Sequence, residues 1–289
     1  MPHPARTAGE TAFEGYLQSQ GLADFVHEKQ FPGKSKHPDY SFTFAGTELL
    51  FEVKDLEGDP LPLYRDPSNP DAPVMRFGFW DPHAGVRQKI DDAREKFRAF
   101  KDYPCSLVLF ARSLALLHDP KVMFGAMHGD VGIEMQVDPD AGGAVPGTAR
   151  EVFGPGGRMT RPHWKAPQNT TINAVIAMRH VKIGEMRFAH RHLSRFSEDE
   201  LIHHLADDVD FDKGEVGLGV VIYENEDAAH PLPRDLFKGR FDERWATIAG
   251  GVRRIYAGEG AMELDELEEL AKKTGKKIAD AWMKTTPTS

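Results

Sequence analysis

Asp39, Glu52 and Lys54 are the residues of this chain whose types and spacing could do chemistry. Glu52 and Lys54 flank Val53 at the end of an apolar run, Leu49-Leu50-Phe51, and Asp39 stands just before a second run, Tyr40-Ser41-Phe42-Thr43-Phe44. Strand periodicity puts Glu52 and Lys54 on one face and Phe51 and Val53 on the other. An acid and an ammonium on an apolar strand are costly to bury without a partner or a task. Two carboxylates that converge repel each other unless a cation lies between them. Hard divalent cations such as Mg²⁺ take oxygen ligands and keep waters, and a nearby lysine can orient or help deprotonate a metal-bound water. Such a set is suited to hydrolysing a phosphodiester.

The elements that must position these groups are two short strands and a tight turn. Phe42 and Phe44 alternate with Ser41 and Thr43, and Ala45-Gly46 supplies a turn in which glycine tolerates positive φ. If those two residues are the whole loop, Phe44 pairs with Thr47 and Asp39 falls opposite Glu52, on the same face. A loop one residue longer would break that parity.

Pro38-Asp39, a spacer of twelve residues, and then Glu52-Val53-Lys54 on a second strand resemble the signature of the PD-(D/E)XK nuclease superfamily, the restriction-endonuclease-like fold. The resemblance covers roughly residues 12–111. It implies an α/β fold with a mixed central sheet and a divalent-metal-dependent nuclease, with DNA favoured over RNA as substrate. It also implies roles. Asp39 and Glu52 would hold Mg²⁺ or Mn²⁺ with the backbone carbonyl of Val53, and Lys54 would position the attacking water. Members often carry an acid on the helix before the motif. Glu14 is the positional match here, with a solvated helix-face glutamate as the other reading. Members also often draw a glutamine, lysine or arginine from the following helix, and Gln88 or Lys89 would match.

Further elements follow from periodicity. Residues 12–22 read as a short amphipathic helix stopped near Gly21, and Phe25 to Phe31 as a short strand. Lys34 and Lys36 lie in a basic turn before Asp39, placed to touch phosphates or simply solvated. Val86, Ile90, Ala93, Phe97 and Phe100 step by three or four along a helix over 86–101 whose other face is basic. An apolar strand follows at 106–111, so strand, helix and strand form a βαβ-like unit. Ser197 and Glu200 make a capping box, 172–178 and 217–225 read as strands, and 261–284 as a C-terminal helix suited to its own domain or to another subunit.

The expected layout is one nuclease-like domain over 1–257, with irregular insertions near 56–85 and 138–167, and a helical tail over 258–289. The first insertion carries many prolines and the aromatics Phe79 and Trp80, which could stack on bases or pack the loop to the core. With 289 residues, 40% hydrophobic and 28% charged, the composition is that of an ordinary globular protein. The single cysteine, Cys105, sits in an apolar run and reads as a core thiol, and no apolar stretch resembles a secretory signal or a membrane span. These features fit a cytoplasmic protein. A net charge of -9 argues against coating nucleic acid by bulk electrostatics, but not against a local basic face. His190 with His192, and His203 with His204, lack the spacing of a zinc-binding helix, and no phosphate-cradling loop is present. Two rival readings remain beside the nuclease. One is a non-catalytic nucleic-acid-binding protein. The other is a protein-interaction module of a larger defence or mobile-element assembly.

Overall fold

The computed structural model describes residues 5–56, 64–65, 73–74, 81, 83–111, 115–138, 140, 143–145, 147–159, 167–182, 216–248 and 251–262. Helix α1 (Ala8–Ser19) opens it, earlier than periodicity predicts. Its start is fixed by a reciprocal capping box. Thr7 Oγ accepts the Glu10 N–H at 3.2 Å, and Glu10 Oε2 accepts the Thr7 N–H at 2.7 Å. Phe13, Tyr16 and Leu17 share its buried face.

The expected strand over 25–31 shrinks to β1 (Val26–His27). Strands β2 (Tyr40–Phe44) and β3 (Thr47–Asp55) then form the hairpin. Ala45 and Gly46 both take positive φ, 49° and 81°, the left-handed pair that a two-residue turn requires. Phe44 pairs with Thr47 and Tyr40 with Phe51. The two-residue loop is therefore the whole turn, and Asp39 lies one step beyond the last pair, level with Glu52.

Between 57 and 80 only a ribbon of β4 (Tyr64–Arg65) and β5 (Pro73–Val74) is described. Phe79 and Trp80 lie outside the described residues. Helix α2 (Ala84–Phe97) buries Val86, Ile90, Ala93 and Phe97. It stops short of residue 101, because the Phe100 N–H turns back to the Phe97 carbonyl. Strand β6 (Cys105–Phe110) is buried throughout, and burial pushes the Cys105 thiol up into an unreactive range. A 3₁₀ turn (Ala115–His118) leads to α3 (Pro120–His128), capped by Asp119 with proline in its first turn.

The region expected to be irregular over 138–167 is partly strand. After β7 (Gly129–Glu134) come β8 (Val137–Asp138), β9 (Gly143–Ala144) and β10 (Arg150–Gly156). β10 returns antiparallel to β7, and β8 pairs with β9. Strands β11 (Ile172–Lys182), β12 (Val216–Glu224), β13 (Glu243–Ile248) and β14 (Gly251–Ala257) complete the chain's strands among the described residues. The Ser197–Glu200 capping box lies outside the described residues. Of the C-terminal helix expected over 261–284 only residues 261–262 are described; they are helical, as are residues 259–260 before them.

Eight strands form one mixed sheet in the order β1-β2-β3-β6-β11-β12-β13-β14. Its centre, β3-β6-β11, is parallel, with β2 and β12 antiparallel on either side. Helix α2 makes the crossover between β3 and β6. One face of the sheet packs on α2 and α3 through residues including Leu50, Leu107, Leu109, Ile90, Phe97 and Phe124. The other packs on α1 through Phe13, Tyr16, Phe51, Val53, Val108 and Phe237. β3 therefore sends its even-numbered side chains toward α2 and its odd-numbered ones toward α1. The fold is α/β with a mixed central sheet. Among the described residues no helix is long and apolar enough to cross a membrane.

Candidate active site

β3 delivers Glu52 and Lys54 to the α2 face, in line with Leu50. The strand is held on both sides, by β2 up to Phe51 and by β6 from Leu50 to Asp55, where Glu52 pairs with Leu107. Both side chains therefore stand on backbone that cannot shift without disturbing the centre of the sheet.

Asp39 joins them from the other arm of the hairpin. β2 ends at Tyr40, and past that point the carboxylate takes over the ladder: Asp39 Oδ2 accepts the Val53 N–H at 2.8 Å. The N–H and carbonyl of one strand residue point to the same side, so the Val53 carbonyl opens toward Asp39 as well. The Asp39 backbone is itself anchored, its carbonyl accepting the Glu28 N–H at 2.8 Å.

The fourth member of the cluster is Lys96, in the last turn of α2. Its ammonium lies 3.0 Å from Asp39 Oδ1 and touches Glu52 Oε2. Lys54 Nζ is 2.5 Å from Glu52 Oε1. Glu52 is only 1% exposed, and the partners of its two oxygens among the described residues are these two ammoniums. Burial pushes Glu52 up to about 7, with Asp39 adding to the shift and Lys96 and Lys54 opposing it. For Lys54, burial acts downward, but Glu52 and Asp39 outweigh it and hold the ammonium above its ordinary range. Lys54 is thus a fixed positive charge at neutral pH, able to donate hydrogen bonds but not to act as a base.

The structure brings Asp39, Glu52, Val53 and Lys54 together and leaves Glu14 apart. Glu14 accepts from the Tyr40 hydroxyl at 2.8 Å and from Arg6 Nε at 2.7 Å. Tyr40 pairs with Phe51 and packs on Phe13, so this group sits on the α1 face, across the sheet from Glu52. Helix phase placed Glu14 beside an apolar stripe correctly; which face of the sheet that stripe covers is a tertiary fact. Gln88 is exposed and Lys89 lies two turns before Lys96, and no contact joins either to the carboxylates among the described residues. Lys96 holds the place expected of them. A signal for it exists in the sequence: Lys89, Asp92 and Lys96 form a row at helical spacing beside the buried stripe. Lys34 is exposed over the Phe100 ring, 5.9 Å from its centroid, and exposed Lys36 lies 3.6 Å from Glu95, next to Lys96. Lys36 thus stands beside the helix turn that carries Lys96.

A divalent cation fits this donor set in one form. Among the described residues no group of three or more histidine, cysteine or acidic side chains converges. Two carboxylates and one carbonyl suit Mg²⁺, which dehydrates reluctantly and is commonly held by one or two carboxylates with waters completing its octahedron. The ammonium of Lys96, seated between the two acids, marks the spot. No protein-family profile, no curated protein and no solved structure matches the chain.

Proposed function

We propose that the chain is a divalent-metal-dependent nuclease of the PD-(D/E)XK kind, hydrolysing phosphodiester bonds, with DNA favoured over RNA by that resemblance. The observation that carries this reading is Glu52: a buried carboxylate facing Asp39 across a rigid hairpin, with an ammonium at each of its oxygens. Two converging carboxylates whose counter-charge comes from lysine side chains make a place that a cation can enter.

Asp39, Glu52 and the Val53 carbonyl would hold Mg²⁺ or Mn²⁺. When bound, the ion supplies charge to polarise the scissile phosphate and lowers the pKa of a coordinated water. Lys54, kept positive by Glu52 and Asp39, donates to the attacking water to fix its direction and stabilises the charge that grows on the phosphoryl oxygens. Water would attack phosphorus in line with the departing oxygen; one P–O bond forms as the other breaks, the water's proton passes to solvent and the departing oxygen takes one up from solvent. Lys34 and Lys36, on the loop that leads into Asp39, supply counter-charge for phosphates flanking the scissile bond.

The test is cleavage of labelled single- and double-stranded DNA and RNA in Mg²⁺ or Mn²⁺, with wild type and Asp39→Ala compared at matched folding. Cleavage that chelation and Asp39→Ala both abolish supports the reading and names the substrate. Failure to cut any substrate, together with no metal binding by titration, overturns it in favour of a protein-interaction module.

A further inference from the structure

The four charged groups of the site divide their contacts unequally. Asp39 Oδ2 is occupied by the Val53 N–H, and Glu52 Oε1 by Lys54. The remaining oxygen of each acid, Asp39 Oδ1 and Glu52 Oε2, is touched among the described residues by Lys96 alone. A cation held by the two acids would compete with Lys96 for them. Lys54, two residues along β3, contacts Oε1 of Glu52 and leaves those two oxygens to Lys96. Lys96 comes from a helix, on a flexible four-carbon stem, and its side chain is 20% exposed, so it can withdraw toward solvent by changing rotamer.

From this geometry we propose that Lys96 is an internal placeholder for the catalytic cation. In the metal-free protein its ammonium bridges Asp39 and Glu52, and the entering ion displaces it. The inference rests on the nuclease reading and adds an order of events to it. With Lys96 in place, two carboxylates and two ammoniums leave the cluster formally neutral, with no excess charge to draw a phosphate. With a divalent ion on the carboxylates and Lys96 pushed to the rim, the same cluster is formally doubly positive and the freed ammonium faces incoming substrate. Metal loading and phosphate binding are thereby coupled, and the metal binds first.

The experiment is calorimetric titration of Mn²⁺ alone into wild type, Lys96→Met and Asp39→Asn, with thermal melting of each protein in chelator and in saturating Mn²⁺. Removing the competitor makes Lys96→Met bind Mn²⁺ more tightly, by roughly fivefold or more, in the range of ordinary site coupling. Its metal-free form melts below wild type, because two converging carboxylates lose their counter-charge, and Mn²⁺ raises its melting temperature by more than it raises that of wild type. Equal or weaker binding by Lys96→Met, with wild type binding well, overturns the placeholder and leaves the nuclease reading standing. Absence of binding by wild type and Lys96→Met alike overturns the nuclease reading itself. Lys96→Gln makes the same comparison should Lys96→Met fail to fold.

Discussion

The sheet carries two buried charged clusters that are built on opposite principles. One is the group of Asp39, Glu52, Lys54 and Lys96 on the α2 face. The other surrounds Asp242 and Arg244, just before and within β13. Asp242 is fully buried and accepts three hydrogen bonds, from the Tyr16 hydroxyl at 2.6 Å, the Val220 N–H at 3.0 Å and the Gly239 N–H. Arg244 is 2% exposed and donates to Glu224 and to the carbonyls of Pro233 and Leu236. These donors and acceptors come from neutral groups as well as charged ones, and they meet in bonding geometry. In the first cluster the partners of the buried carboxylate among the described residues are two part-exposed lysines alone. A cluster tied by backbone and buried side-chain groups locks elements together; one balanced by flexible lysines can exchange its counter-charge.

The same isosteric change tests the contrast at both places. Glu52→Gln removes a charge whose partners, Lys54 and Lys96, are both part-exposed and can turn to solvent. We expect cleavage to fall about a thousandfold, the loss of several kcal/mol of transition-state stabilisation. Unfolding free energy should move by no more than about 1 kcal/mol. Asp242→Asn presents an amide N–H₂ where an oxygen accepted two donors. It should cost about 3 kcal/mol in chemical denaturation and leave metal affinity unchanged. Reversed outcomes, a strongly destabilised Glu52→Gln beside a tolerant Asp242→Asn, would break the comparison.

A smaller effect comes from a third buried group. His128, stacked on Phe124 and packed on Phe153, is pushed by burial from 6.5 down to about 4. The unfolded chain therefore binds the proton more readily than the folded one. The stability this group contributes is present above pH 6.5 and is lost as pH falls through 6.5 toward 4. The loss should reach about 2 kcal/mol at pH 5. His128→Phe keeps the stack and should flatten that slope in denaturant titrations at pH 8 and pH 5.

The hairpin was legible because each of its determinants is local. Alternation sets the faces, a two-residue turn sets the register, and the register places Asp39 against Glu52. Helix α2 was legible in the same way, through its apolar stripe. Lys96 was not. A lysine at the flank of a stripe is ordinary until the crossover from β3 to β6 lays that flank over the hairpin. Glu14 failed for the matching reason, since helix phase does not say which face of a sheet the helix will cover. β10 escaped notice because Gly154-Pro155-Gly156 breaks the alternation that marks a strand. β13 escaped because Glu243 and Arg244, at its start, are buried as ion pairs and look like surface residues in the sequence.

The bond from Tyr16 to Asp242 spans 226 residues, and that separation has a consequence in time. During synthesis at typical rates, roughly 10–45 s pass between the emergence of α1 and that of its anchor. The hairpin can form at once, since its contacts are nearest neighbours. Its aromatic underside is another matter: Phe42 and Phe51 stack on each other and pack at a tilt against Phe237, which also meets Phe13 and Tyr16. Until Phe237 arrives, a row of aromatic rings stays wet on the reverse of β3. The nascent chain thus carries its hairpin early and the cover for the hairpin's aromatic face late, and it is in that interval that a chaperone has a surface to hold.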